Sequence, residues 1–298
     1  STRGSLRHAA EMSSCGRARR PPRGRRKAIA SRPQLDISAA WRNEPRVLDL
    51  TSISLVAIAG LVGGAMNALA GGGSFATMPA LLAIGQPANI ANATSNFALL
   101  PGAGMSSWAF RKELAPVGGV SLRVLAGVTF VAGLVGSLLL VVTPSRTFDV
   151  IVPWLVLYAF VVLAFGKRAS AWLSRRVTIG SGTLIAVQAL LGVYGGYFGG
   201  GVGLMITATY GLLAGVHPRA MFAPRTLMLT IANTAAAIIF IGFGMIAWAA
   251  CIPMLLGGLI GGWAGAHIGK RLPPGAVRVW TLLVSGGTTI VFFWRAYG

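Results

Sequence analysis

The chain has 298 residues, of which 54% are hydrophobic and only 11% charged. A soluble domain covers its surface with about 25% charged residues, so the composition excludes a soluble globular enzyme, while 41 glycines suit closely packed membrane helices. The net charge of +20 does not indicate nucleic-acid binding, because 12 of the 26 Lys and Arg residues fall within residues 1–46 and no recognition motif accompanies them.

In chain order, residues 1–48 are expected to form a basic disordered tail, too poor in apolar residues to build a core. A first transmembrane repeat follows over 49–170 and a second over 171–298. Apolar runs occupy 52–70, 74–84, 90–110, 117–142 and 148–166, then 179–198, 202–214, 220–245, 247–269 and 277–296. Most reach the roughly 20 residues that a membrane-spanning helix requires. Two do not: 74–84 has 11 residues and 202–214 has 13. Each short run follows a glycine triplet, Gly71-Gly72-Gly73 or Gly199-Gly200-Gly201. Consecutive glycines disfavour helix interior by about 1 kcal/mol each relative to alanine, so both places read as broken helices.

The triplets lie 128 residues apart, and each half repeats the order long, short, long, long, long. Loop charge gives an orientation. Arg111 and Lys112 have no charged counterpart in GFGMIAW, whereas Arg146 faces Lys270, Arg271 and Arg278 in the equivalent second-half loop. The basic side switches between halves, as two repeats of opposite orientation require under the positive-inside rule. The expected fold is an all-α polytopic membrane protein of two inverted repeats, each of four long helices plus a short half-helix after a glycine-rich break. Trp108, Trp172, Trp248 and Trp294 sit near run ends, where interfacial anchors belong.

The stretches GLVGGAMNALAGGGSFATMPALLAIGQPANIANATSNFALLPG (60–102) and LLGVYGGYFGGGVGLMITATYGLLAG (190–215) resemble the two signatures of the sulfite exporter TauE/SafE family of membrane transporters. The resemblance covers about residues 50–297. It implies movement of small sulfur-containing anions, such as sulfite and organosulfonates, or of related carboxylates, across the cytoplasmic membrane. Substrate differs among members, so no single anion follows.

The residues themselves indicate how an anion could be held. Asp149, at the very start of the 148–166 run, is the only Asp or Glu within an apolar run, so carboxylates in the interior of a span, which mark proton relays and cation sites within membranes, are lacking. A half-helix offers unpaired amides and a partial positive charge at its first turn, and glycine lets an oxyanion approach the backbone. Gly72, Gly73 and Ser74 at the first break, and Gly200 and Gly201 at the second, are therefore candidate substrate contacts. Asn92, Thr94 and Ser95 lie in a polar cluster too dense for one helical face, and Thr94 and Ser95 read as helix-capping donors or direct ligands. Arg225, beside Thr226 in the equivalent second-half segment, is suited to a bidentate oxyanion contact or else is a positive-inside residue. Asn67 lies in an otherwise apolar run, and Tyr197 just before the second break. Asn67 and Asn233 also fit as interhelical hydrogen-bonding residues.

Cys15 and Cys251 have neither metal nor disulfide spacing. No cluster of His, Cys, Asp and Glu supplies a catalytic set, and no phosphate-binding loop occurs. No cofactor, metal or catalytic residue is expected. The functional expectation is a secondary transporter of a small anion in the cytoplasmic membrane, its partners being the anion and the bilayer, with a coupling ion and self-association left open and no nucleic acid. The alternatives are a non-transporting membrane scaffold or assembly subunit, or a membrane-embedded enzyme.

Overall fold

The computed structural model describes residues 48–173, 180–214, 218–269 and 274–298. The expected tail, apart from Leu48, and the basic residues Lys270 and Arg271 lie outside the described residues. What is described is helical, with one isolated backbone bridge between Val117 and Val120.

Among the described residues, ten α-helices occur in the expected order. α1 (Leu50–Leu69), α2 (Ser74–Ala83), α3 (Ala88–Ala109), α4 (Leu122–Val142) and α5 (Ser145–Leu173) form the first five. α6 (Ser181–Tyr197), α7 (Val202–Ala214), α8 (Phe222–Gly242), α9 (Trp248–Gly269) and α10 (Pro274–Tyr297) form the second. Among the described residues, six helices are long and apolar enough to cross a membrane: α1, α4, the 145–165 part of α5, α8, α9 and α10. α3 is long enough at 22 residues, but its asparagines and hydroxyls make it too polar to qualify. The 10 residues of α2 rise only ~15 Å, half the hydrocarbon thickness.

Local chemistry sets the helix ends. Asp49 caps α1 by accepting the Ser52 amide at 3.0 Å. α4 starts later than its apolar run suggests, at Leu122 rather than residue 117. Pro116 precedes the segment, Gly118 and Gly119 adopt φ of 56° and 77°, and Val117 and Val120 pair across that turn. Ser121 then caps the helix by accepting the Val124 amide at 3.4 Å. α5 is longer than its apolar run at both ends, from Ser145 to Leu173.

Helix pairing repeats between the halves. α1 packs on α9, and its counterpart α6 packs on α4; α3 packs on α9 as α8 packs on α4; α5 meets α7 as α10 meets α2. The counterparts α3 and α8 meet each other, as do α5 and α10. Glycine makes the tightest of these seams possible. A Cβ on Gly64 of α1 would strike the Gly258 carbonyl of α9 and lie 2.8 Å from the Gly262 nitrogen. Across the equivalent seam, a Cβ on Gly136 of α4 would strike the Val193 carbonyl of α6 and lie 2.8 Å from the Tyr197 nitrogen. Small residues let backbones touch where lipid supplies no hydrophobic drive for association.

Candidate functional site

Both glycine triplets interrupt their helices where the sequence places the breaks. α1 closes with the Gly71 amide donating to the Asn67 carbonyl at 2.9 Å, and Gly71 turns the chain at φ 80°. α6 closes with the Phe198 amide on the Tyr194 carbonyl at 2.9 Å, and Gly199 turns the chain at φ 72°. Such left-handed backbone at a helix end favours glycine. The short helices start immediately afterwards, at Ser74 and Val202. The amides of Phe75 and Ala76 return to the carbonyls of Gly72 and Gly73, and those of Leu204 and Met205 to that of Gly201. The preceding Ser74 and Val202 amides stand outside the helical ladders, as first-turn amides do.

The two breaks touch. A Cβ on Gly71 would sit 2.6 Å from the Gly203 Cα, and one on Gly203 would sit 2.7 Å from the Gly71 Cα. The N-terminal end of α7 therefore lies directly against the first break. The Phe75 ring fills the space beside both triplets, 3.1 Å from a Gly72 Cβ and 2.8 Å from a Gly201 Cβ. The whole region from Gly71 to Phe75 and from Phe198 to Ile206 is buried.

Arg225 lies in the first turn of α8 and is 4% exposed, so it is not a solvated loop residue. Its guanidinium donates to the carbonyls of Ala68 at 3.0 Å and Leu69 at 3.3 Å, and stacks 4.6 Å from the centre of the Phe222 ring. Its Nε–H is buried without a protein partner. The one ion pair among the described residues joins Arg295 to Asp149, at 3.9 Å. Arg225 thus caps the last carbonyls of α1 and carries a buried positive charge that, among the described residues, has no carboxylate partner.

The second break is capped in a corresponding way. Asn92 of α3 donates from Nδ2 to the Tyr197 carbonyl, the last of α6, at 3.0 Å. Leu69 and Tyr197 are 128 residues apart, the spacing of the triplets. Each broken helix therefore ends on a side chain of the other half: α1 on Arg225 of α8, α6 on Asn92 of α3. One cap is cationic and the other neutral.

The remaining expected site residues divide. Asn67, in the last turn of α1, packs its Cβ 2.9 Å from where a Gly73 Cβ would lie. Ser74 is buried at the start of α2. Ser95 pairs its hydroxyl with that of Thr77 at 2.5 Å, fastening α3 to α2. Thr94 does cap a helix, but as an acceptor and not a donor: its hydroxyl oxygen receives the Ala247 amide at 3.0 Å just before α9. Thr226 donates back to the Phe222 and Ala223 carbonyls within its own turn. The Gly200 carbonyl accepts the Tyr194 hydroxyl at 2.9 Å. The Tyr197 phenol points away toward Thr143, at 3.5 Å, so only its carbonyl serves the break.

Asn96 belongs to the same polar segment of α3 as Asn92, Thr94 and Ser95. It is 2% exposed, and neither of its amide atoms has a protein partner. Its Nδ2 lies 2.6 Å from where a Gly199 Cβ would stand. Asn92 Oδ1 and Asn233 Oδ1 are likewise buried without a protein partner. A cluster of polar side chains in one run was the available signal; which of them lack partners depends on packing between segments about 100 residues apart.

Among the described residues no group of three or more His, Cys, Asp and Glu could hold a metal. What the arrangement supplies is one guanidinium, unpaired first-turn amides and neutral amide side chains. That chemistry favours small oxyanions.

Comparison with known proteins agrees in kind. The family model described as Sulfite exporter TauE/SafE matches residues 56–292. A "Probable membrane transporter protein" of Haemophilus influenzae is 29% identical over 223 residues, covering 72% of this chain and 86% of that protein. A protein of the same description from a Sinorhizobium species is 28% identical over 240 residues, covering 78% and 88%. One from Escherichia coli is 24% identical over 240 residues, covering 80% and 88%. No solved structure matches the chain.

Proposed function

The chain belongs to the sulfite exporter TauE/SafE family of membrane transporters, and from that premise we propose that it is a secondary transporter moving a small anion through a central site between its two broken helices. The substrate is sulfite, an organosulfonate or a related short carboxylate, and the location is the cytoplasmic membrane. The observation that carries this proposal is Arg225: a buried guanidinium that touches the end of α1 and has no carboxylate partner among the described residues. A buried charge is costly unless paired, and a bound anion is the partner that would offset it. The adjoining breaks add first-turn amides from α2 and α7.

The halves act as inverted repeats, divided near residue 170. The reciprocal helix pairing and the exchanged caps on Leu69 and Tyr197 support a two-fold relation between them. Alternating access then moves one unit containing a broken helix against the other, with the site at the midplane. The contacts crossing the breaks, Arg225 on α1 and Asn92 on α6, are the ones such a motion must loosen and remake.

The test is equilibrium binding by purified protein to sulfite, to short sulfonates and to short carboxylates, with chloride as the reference anion. A ligand that binds the folded state raises thermal stability with its concentration. At least one oxyanion of the panel should do so, and the response should be lost in Arg225→Gln. No response to any of them contradicts the proposal.

A further inference from the structure

The second break contains polar groups that select more than charge. Asn92 and Asn96 lie one turn apart on the same face of α3. Three of their amide atoms, Asn92 Oδ1, Asn96 Oδ1 and Asn96 Nδ2, are buried without a protein partner. Both side chains are aimed at the break: Asn92 Nδ2 reaches the Tyr197 carbonyl, and Asn96 Nδ2 lies beside Gly199. Polar atoms enclosed this way ordinarily find partners, so the cluster is built to receive something.

The orientation of Asn92 restricts what that is. An amide side chain can often be turned end for end without penalty. Asn92 cannot, since turning it would set Oδ1 against the Tyr197 carbonyl oxygen and lose the 3.0 Å bond. Its remaining Oδ1 is therefore fixed as an acceptor, and only a group bearing hydrogen satisfies it. An oxyanion presenting bare oxygens alone would meet that lone pair with its own. Asn96, free to turn, offers a donor or an acceptor as the ligand requires. Among the described residues, Arg225 at the first break is the one buried cationic side chain.

We propose that the central site takes a singly charged oxyanion that carries its own O–H or N–H donor, with the donor held by Asn92 Oδ1 and flanked by Asn96. The inference rests on the anion-transport proposal and sharpens it. The charged oxygens lie toward Arg225 and the donor group toward Gly199. Asn92 is then both a cap of α6 and the specificity-determining ligand, with Asn96 beside it.

The experiment compares pairs matched in charge and nearly in size: 2-hydroxyethanesulfonate with ethanesulfonate, and glycolate with acetate. Each is titrated into the purified full chain. The parent should bind the hydroxylated member of at least one pair about tenfold or more tightly, because its analogue leaves a buried acceptor unpaired. In Asn92→Leu, which removes that acceptor, the ratio should shrink to about threefold or less. Equal binding of both members by the parent overturns the inference and leaves anion binding standing. Binding of none of the four, nor of sulfite, overturns both. An unchanged ratio in folded Asn92→Leu also overturns it. Should that variant fail to fold, the parental comparison decides alone.

Discussion

Arg225→Gln separates two roles that the structure gives to one side chain. The guanidinium donates to the Ala68 and Leu69 carbonyls, which are left over at the end of α1. Hydrogen bonds from a charged donor contribute about 1.5–3 kcal/mol each. A glutamine amide is shorter and uncharged, so the variant should lose about 2 kcal/mol of stability and melt at a lower temperature. Anion affinity should fall further. Removing one member of a desolvated charge pair costs about 2–5 kcal/mol, or at least about thirtyfold in Kd. Arg225→Lys keeps the charge but loses the planar fork, and should lie between the two. Differential scanning fluorimetry measures stability, and titration of the tightest-binding oxyanion measures affinity. A glutamine variant that melts lower yet binds the anion with parental Kd would refute the ligand role and leave Arg225 as a helix cap.

Other perturbations probe the frame around the site. Asn92→Ala strips the Tyr197 carbonyl of its cap and should cost about 1 kcal/mol of stability, read as a lowered melting temperature. Gly64→Val places a branched side chain against the α9 backbone at Gly258 and Gly262; it should sharply reduce folded yield after membrane extraction, whereas Gly104→Ala, with open space around it, should not. A double-mutant cycle on Thr77→Ala and Ser95→Ala should return a coupling of about 1 kcal/mol for their shared hydrogen bond. Asp49 accepts from Ser52, which lowers its pKa below the usual carboxylate value. The sign follows: this cap supports α1 above the ordinary carboxylate range and is lost as pH falls through the lowered value. Asp49→Asn, still a capping residue, should weaken the acid dependence of unfolding.

Hydropathy and glycine spacing made the frame legible. The short helices begin at Ser74 and Val202 because three consecutive glycines at each site cannot continue a helix, a local property that the chain displays openly. The start of α4 was less legible, since Val117 and Val120 extend an apolar run while Gly118 and Gly119 turn it. The partners of Arg225 and Asn92 were hidden for a different reason. They lie 156 and 105 residues away in sequence, and only packing of the two halves brings them near. Arg225 reads equally as a ligand or a topology residue until the Ala68 and Leu69 carbonyls are seen in front of it. Thr94 shows the same limit: its cluster marked it as polar and buried, but nothing nearby indicated that it would accept from Ala247, 153 residues on.

The most direct measurement is flux. Purified protein reconstituted into sealed proteoliposomes should carry at least one of sulfite, a short sulfonate or a short carboxylate down an imposed gradient, saturably, with Arg225→Gln reducing the rate at subsaturating anion by at least about tenfold. Flux no greater than in protein-free vesicles for every anion, from protein shown to be folded and inserted, would contradict the claim that the two breaks and their buried guanidinium form an anion pathway.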